Sequence, residues 1–214
     1  MTTTAGGSGI ADDHAFDEQL PRRLQTKAAV HFTPVAVARV AARLLAPEPG
    51  MRVLDVGAGP GKFCLVAGSA VPHGTFVGVE LRPHLVRLAR RIARGLALTN
   101  VQFVDGDALD LDWSAYDAFY LYNPFAEQLC DTARALDRRL DLAPFKFREY
   151  VRAVRERLLV ARVGTRIVTY HGFGAPPPDG YDLVATERTD DLELWIKARP
   201  SCATSAELDL ELVA

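Results

Sequence analysis

Asp55 opens the run Asp55-Val56-Gly57-Ala58-Gly59-Pro60-Gly61, directly after the apolar pair Val53-Leu54. Glycines in such a run let the backbone approach a ligand closely, because no Cβ intervenes. Glu80 stands 23 residues beyond Gly57, at the end of a second apolar stretch that begins at Thr75. A carboxylate at the end of such a strand can accept hydrogen bonds from ribose hydroxyls. Asp107 follows a third stretch, Val101 to Asp105, and Asn123-Pro124-Phe125 follows a fourth. Turn and acid together suit a ligand carrying an adenosyl group. A dinucleotide turn reads G-x-G-x-x-G, but Lys62 holds the place of its third glycine, and Gly61 comes early. A P-loop needs four residues between its glycines, then Lys and Ser/Thr. Here three residues separate Gly57 from Gly61, and Phe63 follows Lys62. Both phosphate-binding patterns fit badly.

The string Leu54-Asp55-Val56-Gly57-Ala58-Gly59-Pro60-Gly61 resembles the first motif of class I S-adenosylmethionine-dependent methyltransferases, an acidic residue followed by G-x-G-x-G. The resemblance implies S-adenosyl-L-methionine as cofactor, a ligand without phosphate, for which the turn can be tight. Carried over position by position, it sets Asp55, Gly57, Gly59 and Gly61 against the methionine part and Glu80 on the ribose hydroxyls. It sets Asp107 at the adenine amino group, with the backbone of Ala108 nearby. His31-Phe32-Thr33-Pro34 resembles the F-x-T-P-like segment that closes over the cofactor in amino-group methyltransferases, which adds Phe32 and Thr33 to the cofactor side. Asn123-Pro124-Phe125 resembles the (Asn/Asp)-Pro-Pro-(Tyr/Phe) motif of methyltransferases acting on nitrogen, but lacks one proline. In that motif the Asn oxygen and a proline carbonyl accept from the target NH₂ while the aromatic packs on the acceptor. Asn123 and Phe125 are therefore the expected catalytic residues, with Asn123 also touching cofactor. The acceptor this favours is an amino nitrogen, in a protein or a small molecule.

Each of these residues also has a purely structural reading. The glycines can make a tight turn alone, Glu80 can cap a helix, and Asp107 can form an Asx-turn. The His31–Pro34 segment can be a hydrophobic residue and a Thr cap before a Pro-started helix. Methyl transfer from a sulfonium is an in-line displacement to which a protein contributes positioning and electrostatics. A neutral amine needs no base before attack, whereas a hydroxyl usually does. His31, Tyr170 and His171 are the candidate bases, each with an alternative in loop packing. Two rival functions remain at this stage. One is a nicotinamide (NAD(P)-dependent) oxidoreductase, since Glu80 lies near the ~20-residue spacing of that class. The other is a non-catalytic methyltransferase-fold subunit.

The elements that must position these residues alternate. A helical pattern over 14–29, broken at Pro21, leads to a helix starting at Pro34 with Val35, Val37, Ala38, Ala41 and Leu44/Leu45 on its apolar face. Strands follow at 53–56, 75–80, 101–105, 117–122 and 164–170. Between them lie helices at 62–70, from Pro83, over Leu129–Leu140, and through Phe147, Val151, Val154 and Leu158. Tyr181–Thr186 and Leu192–Lys197 form a closing hairpin. Strands alternating with helices predict an α/β fold with a parallel sheet covered on both faces. With the resemblance, the expectation is a Rossmann-like three-layer sandwich: a seven-stranded, mostly parallel sheet with an antiparallel C-terminal strand. Residues 1–13 are expected to be a disordered tail, 14–200 one domain in which 14–33 form a lid, and 201–214 a tail.

Composition sets the outer limits. At 214 residues, 49% hydrophobic and 24% charged, the chain suits one domain with a proper core. Net charge is −2, so no basic field draws nucleic acid or an anionic membrane, and with no recognition module this argues against DNA as acceptor. Arg87, Arg90, Arg91 and Arg94 lie off the apolar stripe of their helix and read as a solvated face. The three cysteines and five histidines match no disulfide or metal spacing, so no metal is expected. No apolar run approaches the ~20 residues of a membrane span, and no targeting pattern opens the chain. The expected localisation is cytoplasmic, and nothing in the sequence speaks to oligomeric state.

Overall fold

The computed structural model describes residues 9–129, 144–187 and 191–201. Three short helices, α1 (Asp13–Asp17), α2 (Arg22–Gln25) and α3 (Ala28–His31), precede α4 (Val35–Leu45). The α/β alternation then runs β1 (Arg52–Val56), α5 (Lys62–Ala70), β2 (Thr75–Glu80), α6 (Pro83–Gly95), β3 (Val101–Asp105) and β4 (Ala118–Leu121). It closes with α7 (Pro144–Leu159), β5 (Arg166–Tyr170), β6 (Tyr181–Glu187) and β7 (Leu192–Lys197).

The seven strands form one sheet in the order β3-β2-β1-β4-β5-β7-β6. β1 to β5 pair in parallel, while β7 runs antiparallel to both β5 and β6. Strand order reverses between β1 and β4, and in such sheets the crevice beyond the carboxyl ends at that point is where ligands bind. Helices α4, α5 and α6 build a core on one face, joined by Phe16, Leu20 and Leu24 of the N-terminal segment. On the other face α7 packs with Ala108, Trp113 and Tyr116 at two short 3₁₀ turns. The Rossmann-like sandwich expected from the alternation is the observed fold.

Several local expectations shift. Pro34 (φ −58°, ψ 143°) is the N-cap of α4 rather than its first residue. β4 is one residue shorter at each end than its expected run; the Asp117 carboxylate accepts the Arg52 amide at 2.7 Å. Residues 9–13, read as tail, are packed: Ile10 is buried, Asp12 accepts the Ala15 amide as the α1 cap, and Arg39 donates to the Ile10 and Ala11 carbonyls. The apolar limit also needs correcting, since Ala28–Leu45 is 18 residues of mean hydropathy 1.3, apolar enough for a span by composition. The chain breaks it into α3 and α4 at Phe32–Pro34, and half of it is buried. The four arginines of α6 are exposed as read, with Arg90 donating to the Phe103 carbonyl. Residues 1–8, the helix expected over Leu129–Leu140 beyond its first residue, and the tail beyond Ser201 lie outside the described residues.

Gly61 caps α5 in the left-handed region (φ +84°), and a Cβ there would stand 2.5 Å from the Phe103 ring and 2.9 Å from the Ala89 methyl. Both backbone strain and overlap oppose a side chain. Gly61→Ala should therefore cost about 2–4 kcal/mol in urea unfolding. Gly95→Ala, at the end of α6 with open space around it, should gain no more than about 1 kcal/mol.

Candidate active site

The site is assembled from the carboxyl ends of β1 to β4, where one cavity is lined by the glycine turn, the acids Asp55, Glu80, Asp107 and Glu127, and the His31–Thr33 segment. Gly57 (φ +78°) and Gly59 (φ +55°) both adopt left-handed backbone that favours glycine. Their turn hangs from β2. The Gly57 and Ala58 amides donate to the Val79 carbonyl at 3.0 and 2.9 Å, and the Gly59 amide donates to Glu80 Oε2 at 3.0 Å. Gly61 is not part of the lining. A Cβ at Gly61 would meet Phe103 and Ala89 behind the turn.

Glu80, 5% exposed, is already well partnered. Its Oε1 accepts the Arg82 amide at 2.9 Å and Arg82 Nη1 at 3.1 Å. Three donors occupy a carboxylate with about four lone-pair directions, so two ribose hydroxyls fit only if Arg82 lets go of Oε1. Arg82 pairs through Nη2 with Glu127, whose other oxygen lies 3.9 Å from His31 Nδ1. Arg82 Nε is buried without a hydrogen-bond partner among the described residues.

Asp55 is 4% exposed and accepts a hydrogen bond from the Cys64 thiol at 3.5 Å. Burial dominates its titration and pushes it up to about 7, with the nearby Glu80 charge adding to the effect and the Cys64 bond opposing it. Burial likewise pushes the Cys64 thiol well up.

Asp107 is held at both oxygens. Oδ1 accepts the Leu109 amide at 2.9 Å, the Asx-type bond open to it from sequence, and Oδ2 accepts the Tyr150 hydroxyl at 2.7 Å. Burial and Asp107 raise the Tyr150 hydroxyl, so it stays protonated and donates. Ala108 lines the cavity beside it, its carbonyl accepting the Trp113 indole N–H at 2.8 Å.

From the N-terminal side the Phe32 ring lies 3.7 Å from where a Gly59 Cβ would stand. The Thr33 hydroxyl shares a 2.9 Å bond with Tyr120, which stacks on Phe63 at 3.9 Å. Asn123 lines the cavity with φ +36°, its amide donating to the Gly172 carbonyl. Phe125 stacks on Tyr150 at 4.9 Å and 17°. Of the candidate bases, His31 lines the cavity. Tyr170 and His171 do not: Tyr170 sits behind Tyr122, and His171 Nδ1 lies 3.0 Å from Asp191 Oδ2.

Sequence reasoning missed Lys62, Arg82, Glu127 and Tyr150. Lys62 occupies the place of a dinucleotide turn's third glycine and does something incompatible with that role. Its buried Nζ pairs with Asp13 at 2.7 Å and Asp17 at 3.4 Å and lies over the Phe16 ring, pinning α1 beside the turn. The acids at Asp12 and Asp13 carried a cap-and-pair signal; for Tyr150, on an amphipathic helix 43 residues from Asp107, there was none.

Residues 47–141, a little under half of the chain, match the model of a family described as a methyltransferase domain. Over that stretch the chain is similar to a methyltransferase domain. That domain family implies S-adenosyl-L-methionine as its methyl donor. Similar over shorter stretches are the release factor glutamine methyltransferase of Escherichia coli (strain K12), 36% identical over 75 residues, 35% of this chain and 26% of that protein, and the demethylmenaquinone methyltransferase of Thermus thermophilus, 28% identical over 135 residues, 62% of this chain and 52% of that protein. The chain thus spans about a quarter to a half of the length of these relatives. In three dimensions it resembles an RNA methyltransferase from Salinibacter ruber in complex with S-adenosyl-L-homocysteine, at TM-score 0.54 and 22% identity, over 78% of this chain and 94% of that one. That likeness is one of fold.

The raised Asp55 has a pH consequence. An acid whose folded value lies above its ordinary 3.8 binds more protons folded than unfolded, so its contribution is fully present below about pH 4 and is lost as pH rises through about 7. Asp55→Asn should remove that fall. Melting temperatures of the two proteins, compared between pH 4 and 8, should diverge as pH rises, with the variant the more stable at pH 8.

Proposed function

We propose that this chain is an S-adenosylmethionine-dependent methyltransferase acting on an amino nitrogen. The observation that carries the reading is the meeting of Asp55, Glu80 and Asp107, from the ends of three consecutive strands, with Gly57 and Gly59 in one cavity. Its donor and acceptor set suits a cationic, zwitterionic nucleoside ligand: carboxylates for hydroxyls, amines and positive charge, with no cluster of donors for phosphate. The buried, unpartnered Arg82 Nε and the Arg82 contact that would yield to a ribose fit an occupant there. When bound, S-adenosylmethionine supplies an electrophilic methyl carbon on sulfur.

The chain's own residues do the rest. Asp55, when ionised, offers negative charge to the cationic end of the ligand, and Glu80 accepts from the ribose. Phe32 covers Gly59, and the Lys62-anchored helix α1 limits water from the N-terminal side. Asn123, at the cavity rim on a strained backbone, would accept from the target amine and aim its lone pair at the methyl carbon. The nitrogen–carbon bond forms as the carbon–sulfur bond breaks, and the acceptor then sheds one proton. The E. coli relative is named for a glutamine, which supports nitrogen as the acceptor atom.

Calorimetry with S-adenosylhomocysteine and NADH tests the donor. Micromolar binding of S-adenosylhomocysteine alone is expected, and Glu80→Gln should weaken it by about 1–3 kcal/mol. Binding of NADH instead would move the protein to redox chemistry. A product assay over amine, protein and RNA acceptors should then yield a methylated nitrogen, and transfer confined to oxygen or carbon would sink the acceptor assignment.

A further inference from the structure

Asp107 is an unusual reading group because neither of its oxygens is free to move. The Leu109 amide holds Oδ1 and the Tyr150 hydroxyl holds Oδ2, so the carboxylate cannot turn about its terminal bond without breaking one of them. The first bond is local, between residues two apart. The second comes from α7, 43 residues downstream, and from a ring clamped by the Phe125 stack. With the Leu109 bond alone the carboxylate would pivot. With both, one lone pair on each oxygen is spent, and the remaining pairs hold a set direction in the cavity that Asp107 and Tyr150 both line.

We propose that Tyr150 is a positioning residue for nucleobase selectivity: its hydroxyl fixes Asp107 as an acceptor-only group, so that the cavity takes 6-aminopurine nucleosides and rejects 6-oxopurine ones. The inference rests on the adenosyl reading of the cavity given above. An ionised carboxylate has no proton to offer. A purine amino group donates to it, whereas a 6-oxo group sets lone pairs against lone pairs. A site built to hydrogen-bond an N–H rejects the analogue that lacks it, because its own polar group is left unpaired. Orientation is what makes that rejection hold, since a pivoting carboxylate could turn away from the offending oxygen.

The full chain is titrated by calorimetry with S-adenosylhomocysteine and S-inosylhomocysteine. The native protein should prefer the adenosyl compound by roughly 10–100-fold. Tyr150→Phe keeps the ring and its stack on Phe125 and removes one oxygen. It should weaken the adenosyl compound by about tenfold and, by letting the carboxylate turn away from the 6-oxo group, leave the inosyl compound no weaker, so the selectivity ratio contracts. In an Asp107→Ala background the same substitution should no longer alter the ratio, because the group it positions is gone. If Tyr150→Phe weakens both ligands by one common factor, or lowers the melting temperature while the ratio stands, Tyr150 only supports the fold and the inference fails. If the native chain binds neither compound, the cofactor reading fails first, a result distinct from an unchanged ratio.

Discussion

The bond from the Gly59 amide to the Glu80 carboxylate ties the turn after β1 to the end of β2. Two neighbouring parallel strands thereby share one end, with the Val79 carbonyl taking the two preceding amides of the same turn. Everything in the cavity is referred to that junction. It sets the left-handed path through Gly57 and Gly59, where Pro124 lies 3.3 Å from the place a Gly57 Cβ would take, beside Asn123. It also places Glu80 for Arg82, and through Arg82 draws Glu127 and His31 to the same rim. A buried charge-assisted bond is the strong kind, and this one joins the ends of β1 and β2.

A second set of contacts closes the cavity from the N-terminal side, all of them long in sequence. Lys62 meets Asp13 and Asp17, the Val35 amide meets Asp13, Thr33 meets Tyr120, and the Val30 carbonyl meets Tyr122. A buried lysine is costly unless paired, and here its partners sit on the short helix it anchors. The cap is therefore part of the domain, built by side chains on the strands and helices it covers.

The extent to which this was legible in the sequence follows from range. β1, β2 and β5 read directly, because strands buried on both faces are apolar runs bounded by turn residues; β3, the edge strand, read from its buried Val101 and Phe103 on one face. Asp55, Glu80 and Asp107 read as candidates because each ends such a run. Gly61 read like its neighbours in the turn, yet its reason lies in Phe103 and Ala89, 42 and 28 residues away. Residues 9–13 read as tail because small and polar residues carry no apolar signal; their order comes from Lys62 and Arg39. Tyr150 had an ordinary place on an amphipathic helix, and its meeting with Asp107 depends on how α7 packs.

The apolar stretch Ala28–Leu45 has a consequence during synthesis. A ribosome delivers it early, before most of the surfaces that cover it. Thr33 finds Tyr120 only 87 residues later, and the Leu44 carbonyl finds Arg166 122 residues later. At about 5–20 residues per second that interval is on the order of 10 s. Throughout it, the nascent chain carries an apolar segment whose later partners on β4 and β5 have not yet been made.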